Sequence, residues 1–407
     1  MTKRALSDAA RRIRPAVFAE LQARIDRLAA RGEELIPLHI GDTHVPPPEA
    51  ARRALGGFDA DDAALHRYGP TAGLAPLREA MAKVLARRGL EVDPVAELLV
   101  GNGGTHALFC AARAVLDPGD EVIVAAPYWP LAPGVFTACG AVPVEAALTQ
   151  RLYADPSLDP AALLSAAVGP RTKAVYFISP NNPDGKVLSS AELERIAAFA
   201  REHDLWVFAD EVYADVVFDG AAAAPSIAAL PGMRERTVTL HSLSKSHALA
   251  GLRVGFITAP EPVIAAARRV STHTAFNVAL AMQRAAVAAL ADDAFPRAAR
   301  DVYRVARDAS VAALAGAPLR TFVAEGATYL FLDFGPAIEE RGGERPLYAI
   351  LERAVDRGVL LAPGDAFGGA YASSFARLCY TSVPPERVVS GIERLRDAVD
   401  AYLADRP

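Results

Sequence analysis

The chain has 407 residues, 52% hydrophobic and 22% charged, so it can bury a large core; a disordered chain and a small stapled module are both excluded. Its 43 Lys and Arg against 48 Asp and Glu leave a net charge of −5, with no broad positive field to hold a phosphate backbone, so nucleic acid is not expected as a main partner. The three cysteines, Cys110, Cys139 and Cys379, are scattered and form no CxxC pair, which argues against a disulfide framework or a zinc ribbon and makes a reducing cytoplasm the expected setting.

Met1 to Arg14 mixes basic and acidic groups and lacks the continuous apolar segment of a secretory signal. No run of about 18 apolar residues predicts a membrane span. From Val17 to Arg31 apolar residues recur at helical spacing, and Leu35 to Ile40 reads as a short strand ending at Gly41-Asp42, before the Pro46-Pro47-Pro48 break. Helical patterns over Ala72–Arg88, His106–Leu116 and Ser190–His203 then alternate with apolar runs at Leu98–Val100, Glu121–Ala125, Ala174–Ile178, Leu205–Ala209, Val238–Leu240 and Val254–Thr258. That alternation predicts a buried, largely parallel sheet with helices on both faces. Beyond Pro260 come long Ala- and Arg-rich helical stretches, Val263–Val270 and Val278–Ala315. Strands near Tyr329–Phe334, Val359–Ala362 and Arg377–Thr381 follow, closed by a helix over Pro385–Ala404. The expected architecture is α/β: a large domain over 48–290 and a smaller α+β domain built from both chain ends, 1–47 and 291–407.

Several positions carry potential chemistry. Gly101-Asn102-Gly103-Gly104-Thr105 follows a strand and opens a helix, so its amides and the helix dipole offer a phosphate cradle, although tight packing explains such a turn equally well. The third glycine of a dinucleotide fingerprint would fall at His106, which weakens a nicotinamide-dependent dehydrogenase. Asp210-Glu211 ends an apolar strand as a magnesium site might, but the loop around Gly185-Lys186-Val187 lacks the pattern of a nucleotide-binding partner loop. Asp210 could cap the next element, or hold a protonated heterocycle positive at its nitrogen. Lysine is scarce, occurring only at positions 3, 83, 173, 186 and 245. Lys245 follows His241-Ser242-Leu243-Ser244 and precedes Gly251-Leu252-Arg253; it is either a solvated surface residue or, in its neutral form, a nucleophile toward an aldehyde.

Taken in order, Tyr68-Gly69-Pro70-Thr71-Ala72-Gly73, Gly103-Gly104-Thr105, Pro127-Tyr128-Trp129, Ser179 to Gly185, Asp210-Glu211-Val212-Tyr213, Ser242-Leu243-Ser244-Lys245 and Arg377 resemble the fold-type I, class I/II aminotransferases that use pyridoxal 5'-phosphate. The resemblance runs from about Arg14 to the C-terminus and implies a seven-stranded, mostly parallel sheet. It makes Lys245 the lysine that joins the cofactor aldehyde and shifts the substrate's Cα proton, with Asp210 paired to the pyridinium nitrogen. Asn182 and Tyr213 would donate to the phenolic oxygen, and Trp129 would stack on the ring; an Asx turn, a core tyrosine and a core tryptophan are the bland alternatives. Gly104, Thr105, Ser242, Ser244 and Arg253 would hold the phosphate. Tyr68 resembles the tyrosine that reaches the phosphate from the neighbouring subunit, which implies a homodimer with shared sites. Arg377 resembles the arginine that pairs with the substrate α-carboxylate, unless it forms only a strand-end ion pair, and Gly41 the arm glycine that closes over it.

The chain also departs from that pattern. Asp184 stands third in the Asn182-Pro183-Asp184-Gly185 turn, where threonine is usual, and Ser179 replaces an asparagine; neither change is expected to disturb the cofactor contact. Thr105 follows the paired glycines where relatives acting on aspartate often carry lysine, so aspartate specificity is not implied. His44, His106 and His273 are candidate readers of the substrate side chain, or simply structural histidines. The expected activity is ping-pong transfer of an amino group between an L-amino acid and a 2-oxo acid, the alternative being a lyase or oxidase on the same fold. A transcriptional regulator with a similar body would need a DNA-binding module that the forty or so residues ahead of the motifs are too few to supply.

Overall fold

The computed structural model describes residues 6–14, 21–57, 61–62, 66–369 and 371–405. Seven strands form the main sheet: β2 (Leu98–Asn102), β3 (Glu121–Ala126), β4 (Val142–Ala147), β5 (Thr172–Ile178), β6 (Trp206–Asp210), β7 (Thr237–Ser242) and β8 (Val254–Thr258), in the order β2-β8-β7-β6-β5-β3-β4. Neighbours from β7 to β4 pair in parallel, while β8 runs antiparallel to both β2 and β7. The sheet is thus mostly parallel, and the carboxyl ends of β2, β3, β5, β6 and β7 share one edge with the start of β8. In an open sheet of this kind, ligands bind where those ends and their loops meet.

The strands are near-continuous apolar runs because helices cover both faces. Val122, Val124, Tyr176, Phe208, Val238 and Ile257 pack to one side with the Gly103–Val115 helix, and Ile123, Val175, Phe177, Val207 and Ala209 to the other with Leu193, Ile196 and Phe199. The second of these layers rests on the Ser190–Glu202 helix. Its start is fixed by a reciprocal cap in which Ser189 Oγ accepts the Glu192 N–H while the Glu192 carboxylate accepts the Ser189 N–H.

A smaller, four-stranded antiparallel sheet runs β12-β13-β10-β9, where β9 is Arg320–Thr321, β10 Tyr329–Asp333, β12 Ala362–Pro363 and β13 Phe375–Cys379. Beside it, β1 (Ile36–Pro37) pairs in parallel with β11 (Val359–Leu360). One core unites Leu21, Ile36 and Leu38 from the beginning of the chain with Tyr303, Leu330, Leu378, Val388 and Tyr402 from its end.

Several expected elements differ in detail. The strand predicted over Leu35–Ile40 shrinks to Ile36–Pro37, because Pro37 has no N–H to continue a ladder. Val359–Ala362 is not one strand; the chain changes sheets at Leu361, pairing first with β1 and then with β13. The helical stretch Val278–Ala315 is two helices, Leu280–Leu290 and Phe295–Leu314. Asp292 breaks it by accepting the N–H groups of Ala294 and Phe295 at 3.1 and 3.2 Å, and Pro296 opens the second helix. In the helix predicted over Val17–Arg31, the described part is Gln22–Ala30, while residues 17–20 lie outside the described residues. Among the described residues no helix is long and apolar enough to cross a membrane.

Candidate active site

The shared edge of the main sheet opens into a cavity of about 340 Å³. It is lined by Gly41, Gly104, Thr105, Trp129, Asn182, Asp210, Tyr213, Ser242, Ser244, Lys245, Arg253 and Arg377, each singled out above, and also by Ile178, Val212, Leu240, Ala250 and Tyr329. The topology explains this convergence. Asp210 is the last residue of β6, Ser242 the last of β7, and Asn182 and Trp129 stand in the turns leaving β5 and β3; Gly104 opens the helix after β2, and Arg253 precedes β8. The smaller sheet contributes Arg377 from the middle of β13 and Tyr329 from the start of β10.

At one end the groups favour an anion. Gly104 and Thr105 lie in the first turn of the Gly103–Val115 helix, where backbone N–H groups lack helical acceptors. The Ser242 hydroxyl donates to Ser244 Oγ at 2.8 Å and accepts the Ser244 N–H at 3.1 Å, which sets both side chains in one turn. Arg253 is held in the left-handed region at φ 53°, and one guanidinium N–H donates to the Ala250 carbonyl at 3.0 Å. Gly103, at φ 76°, makes room for this arrangement, since a Cβ there would overlap the Arg253 guanidinium.

At the end of β6 the lining favours a cation instead. Asp210 is buried and accepts the Tyr176 hydroxyl at 2.9 Å and the Val212 N–H at 3.3 Å. Burial pushes its carboxyl up to about 6 against the pull of these two donors, and no cation among the described residues offsets that burial. Its neighbour Glu211 faces away, accepting the Ser226 hydroxyl at 2.5 Å, and burial raises it to about 7.

Lys245, also in the lining, donates from Nζ to the Gly41 carbonyl. Tyr213 and Tyr329 share a hydroxyl–hydroxyl hydrogen bond of 2.8 Å. Arg377 is buried, with Nη1 donating to Asn182 Oδ1 at 2.9 Å and Nη2 to the His39 carbonyl at 2.7 Å. Its guanidinium carbon lies 4.3 Å from the Tyr329 ring centroid and 4.8 Å from that of Phe367, and its Nε has no partner. Since Asn182 Oδ1 is taken, its amide N–H groups remain as donors toward the cavity. Gly41 approaches Tyr329 so closely that a Cβ would overlap the tyrosine hydroxyl.

Tyr68 does not line this cavity; its side chain is 84% exposed and its ring rests 4.8 Å from that of Phe276. The three histidines are not gathered there either. His106 accepts the Asn102 N–H at Nδ1 (3.2 Å), so Nε2 carries the proton toward Thr274 Oγ1 at 3.0 Å; this structural bonding at the helix start occupies both ring nitrogens. His44 Nδ1 lies 3.1 Å from the Thr381 carbonyl, and His273 is exposed in the last turn of the Glu261–Thr274 helix. Sequence reasoning missed Tyr176, Tyr329, Phe367 and the His39 carbonyl. Tyr176 left a signal, since a buried hydroxyl in an apolar strand requires a partner.

The cavity offers donors for an anionic group, a buried carboxylate for a cationic one and, in Lys245, an amine able to join a carbonyl. Pyridoxal phosphate has those three features, and the residues present fit it.

A model of the family described as aminotransferase class I and II matches residues 33–395. The chain is 33% identical over 400 residues to the aspartate/prephenate aminotransferase of Thermus thermophilus, covering 96% of this chain and 98% of that protein. It is 34% identical over 376 residues to the arginine–pyruvate transaminase of Pseudomonas aeruginosa, covering 90% and 89%. Among solved structures, the aspartate aminotransferase from Thermus thermophilus with maleate superposes with a TM-score of 0.85 at 32% identity, over 97% of this chain and 100% of that one.

Proposed function

Because the chain belongs to the aminotransferases of class I and II, we propose that this cavity is the active site in which it moves an amino group between an L-amino acid and a 2-oxo acid, with pyridoxal 5'-phosphate as cofactor. The observation that carries the reading is the make-up of the cavity: a buried carboxylate at the end of β6, offset by no cation among the described residues, shares it with a cluster of anion donors at the ends of β2, β7 and β8 and with a lysine amine.

The bound cofactor supplies an aldehyde for the amino group and a ring able to accept the electron pair left at the substrate's Cα. Gly104, Thr105, Ser242, Ser244 and Arg253 would hold the phosphate, and Trp129 would pack against the ring. Asp210 keeps a proton on the ring nitrogen; a cation against its carboxylate offsets the desolvation that raises its pKa. Asn182 and Tyr213 donate to the ring's phenolic oxygen. Lys245 would supply the amine that anchors the cofactor aldehyde and, once the substrate's amino group has displaced it, the base that takes the substrate's Cα proton. Arg377 pairs with the α-carboxylate through its guanidinium, which rests against the Tyr329 and Phe367 rings. Gly41 lets the arm close over the substrate.

Arg377→Ala is expected to raise the KM for the amino acid and to lower kcat/KM by about 10²-fold, the scale of a lost charge-assisted contact in a water-poor site. Steady-state kinetics measure this, and unchanged efficiency would remove Arg377 from the site. The reaction class has its own test. Transamination yields a new amino acid only when a 2-oxo acid is supplied and consumes no oxygen, whereas ammonia release without an acceptor, or oxygen uptake, would indicate elimination or oxidation.

The exposed Tyr68 supports a homodimer in which this ring completes the partner's phosphate site. The mixed core of first and last residues supports dividing the chain near residues 47 and 290. Three free, buried thiols suit a reducing cytoplasm.

A further inference from the structure

Asp184 has no role in the chemistry above, yet it is a buried carboxylate two residues beyond Asn182, which lines the cavity. It accepts the Thr149 hydroxyl at Oδ2 (2.5 Å), and at Oδ1 the Asn181 side-chain N–H (2.8 Å) and the Lys186 backbone N–H (3.1 Å). The Asn181 amide also stands 3.0 Å from the Pro127 carbonyl and 3.0 Å from Thr149 Oγ1. Thr149 and Asn181 are buried as well, so water does not replace these bonds.

The cluster ties together two walls of the cavity. Pro127 begins the turn that carries Trp129, while Asn181 and Asp184 bracket Asn182, whose side chain receives the Arg377 N–H at 2.9 Å. Every hydrogen in the cluster points toward an acceptor only while Asp184 is ionised. A protonated carboxyl brings its own hydrogen and must displace the Thr149 or Asn181 donor.

We propose that ionised Asp184 is a positioning residue that locks the Trp129 turn to the Asn182 turn and so sets the Asn182–Arg377 contact; the inference rests on the aminotransferase reading of the cavity. Burial pushes the Asp184 carboxyl up to about 6, opposed by its three donors and reinforced by Glu325. The other groups facing the cluster are Lys186, which lies 3.4 Å from Glu325 and 3.6 Å from Glu192, and Tyr153, whose ring carries the Lys186 ammonium 5.4 Å from its centroid. Burial raises the Tyr153 hydroxyl far above neutrality, so it does not titrate in this range.

The test uses the fluorescence of Trp129 in cofactor-free protein. Trp206 is the only other tryptophan, so Trp206→Phe isolates the signal. Between pH 5 and 8, Trp129 emission is expected to show a transition near pH 6 that persists in Asp210→Asn and disappears in Asp184→Asn. Thr149→Val, which removes a donor from the ionised carboxylate, should move the midpoint to higher pH and serves if Asp184→Asn does not fold. In the loaded enzyme, Asp184→Asn should raise the amino-acid KM by about tenfold with kcat within about twofold, the scale of a displaced hydrogen bond to a charged group, and abolish the rise of KM below the midpoint. A transition that survives Asp184→Asn, a midpoint unmoved by Thr149→Val, or an unchanged KM would overturn the proposal. Failure of every form to bind pyridoxal phosphate would sink the cofactor reading instead, with the fluorescence result still judging Asp184.

Discussion

Lys245→Ala is expected to lower turnover by about 10⁴-fold or more while leaving the protein folded, because one side chain supplies both the amine that holds the aldehyde carbon and the base that takes the Cα proton. The contacts explain why folding survives. The lysine is half-buried and its Nζ bonds to the Gly41 carbonyl, whereas the Lys245 backbone carbonyl that accepts the Tyr303 hydroxyl at 3.2 Å is untouched by the substitution. Lys245→Arg provides a companion result: it keeps a cation beside Gly41 but supplies no neutral amine, so it too should be inactive. Steady-state rates measured together with thermal melting separate lost chemistry from lost structure. Near-parental rates in a folded variant would refute the assignment.

Asp210→Asn should act in opposite directions on the two forms of the protein. The folded-state pKa of Asp210 is raised from 3.8 to about 6, so the folded protein holds this proton more tightly than the unfolded chain. The associated stability is fully present below about pH 4 and is lost as pH rises through about 6, at roughly 1.4 kcal/mol per pKa unit, or about 3 kcal/mol altogether. Asparagine has no charge to desolvate. The cofactor-free variant should therefore melt higher than its parent at pH 8, with the gap closing as pH falls toward 4. Glu211, raised to about 7 by burial and in smaller part by the neighbouring Asp210 charge, also loses stability as pH rises; without that charge it loses less in the variant, which adds to the gap in the same direction. Toward pyridoxal phosphate the variant should lose about 10- to 100-fold in affinity, since the carboxylate that meets the ring nitrogen is gone. Paired melts across pH and a cofactor titration check both halves, and a variant no more stable than its parent at pH 8 would contradict the account of Asp210.

Both arguments depend on residues legible before the fold was known, because strand ends and the turns after them carry local signals. Asp210-Glu211 closes an apolar run, Gly103-Gly104-Thr105 opens a helix, and Lys245 follows two serines in a chain with five lysines. The main strands were legible for the same reason: apolar runs covered on both faces, punctuated by Gly, Pro and Asp. β4 was not, since Pro143 and Glu145 interrupt its apolar run at the edge of the sheet. Tyr329, Phe367 and His39 were also hidden. Tyr329 lines the cavity and all three touch Arg377, and those contacts exist only after distant segments pack. His106 shows the converse case, a polar residue in a promising motif whose two ring nitrogens are occupied in starting a helix.

The central claim, that this cavity binds pyridoxal phosphate and passes an amino group through Lys245 chemistry, is tested most directly by the visible spectrum of the purified protein. The spectrum is recorded before and after adding a panel of L-amino acids without acceptor. The account predicts a yellow protein whose absorbance band is bleached by some of these amino acids and restored by a 2-oxo acid. A protein that carries no chromophore, and gains none when pyridoxal phosphate is added, would contradict it.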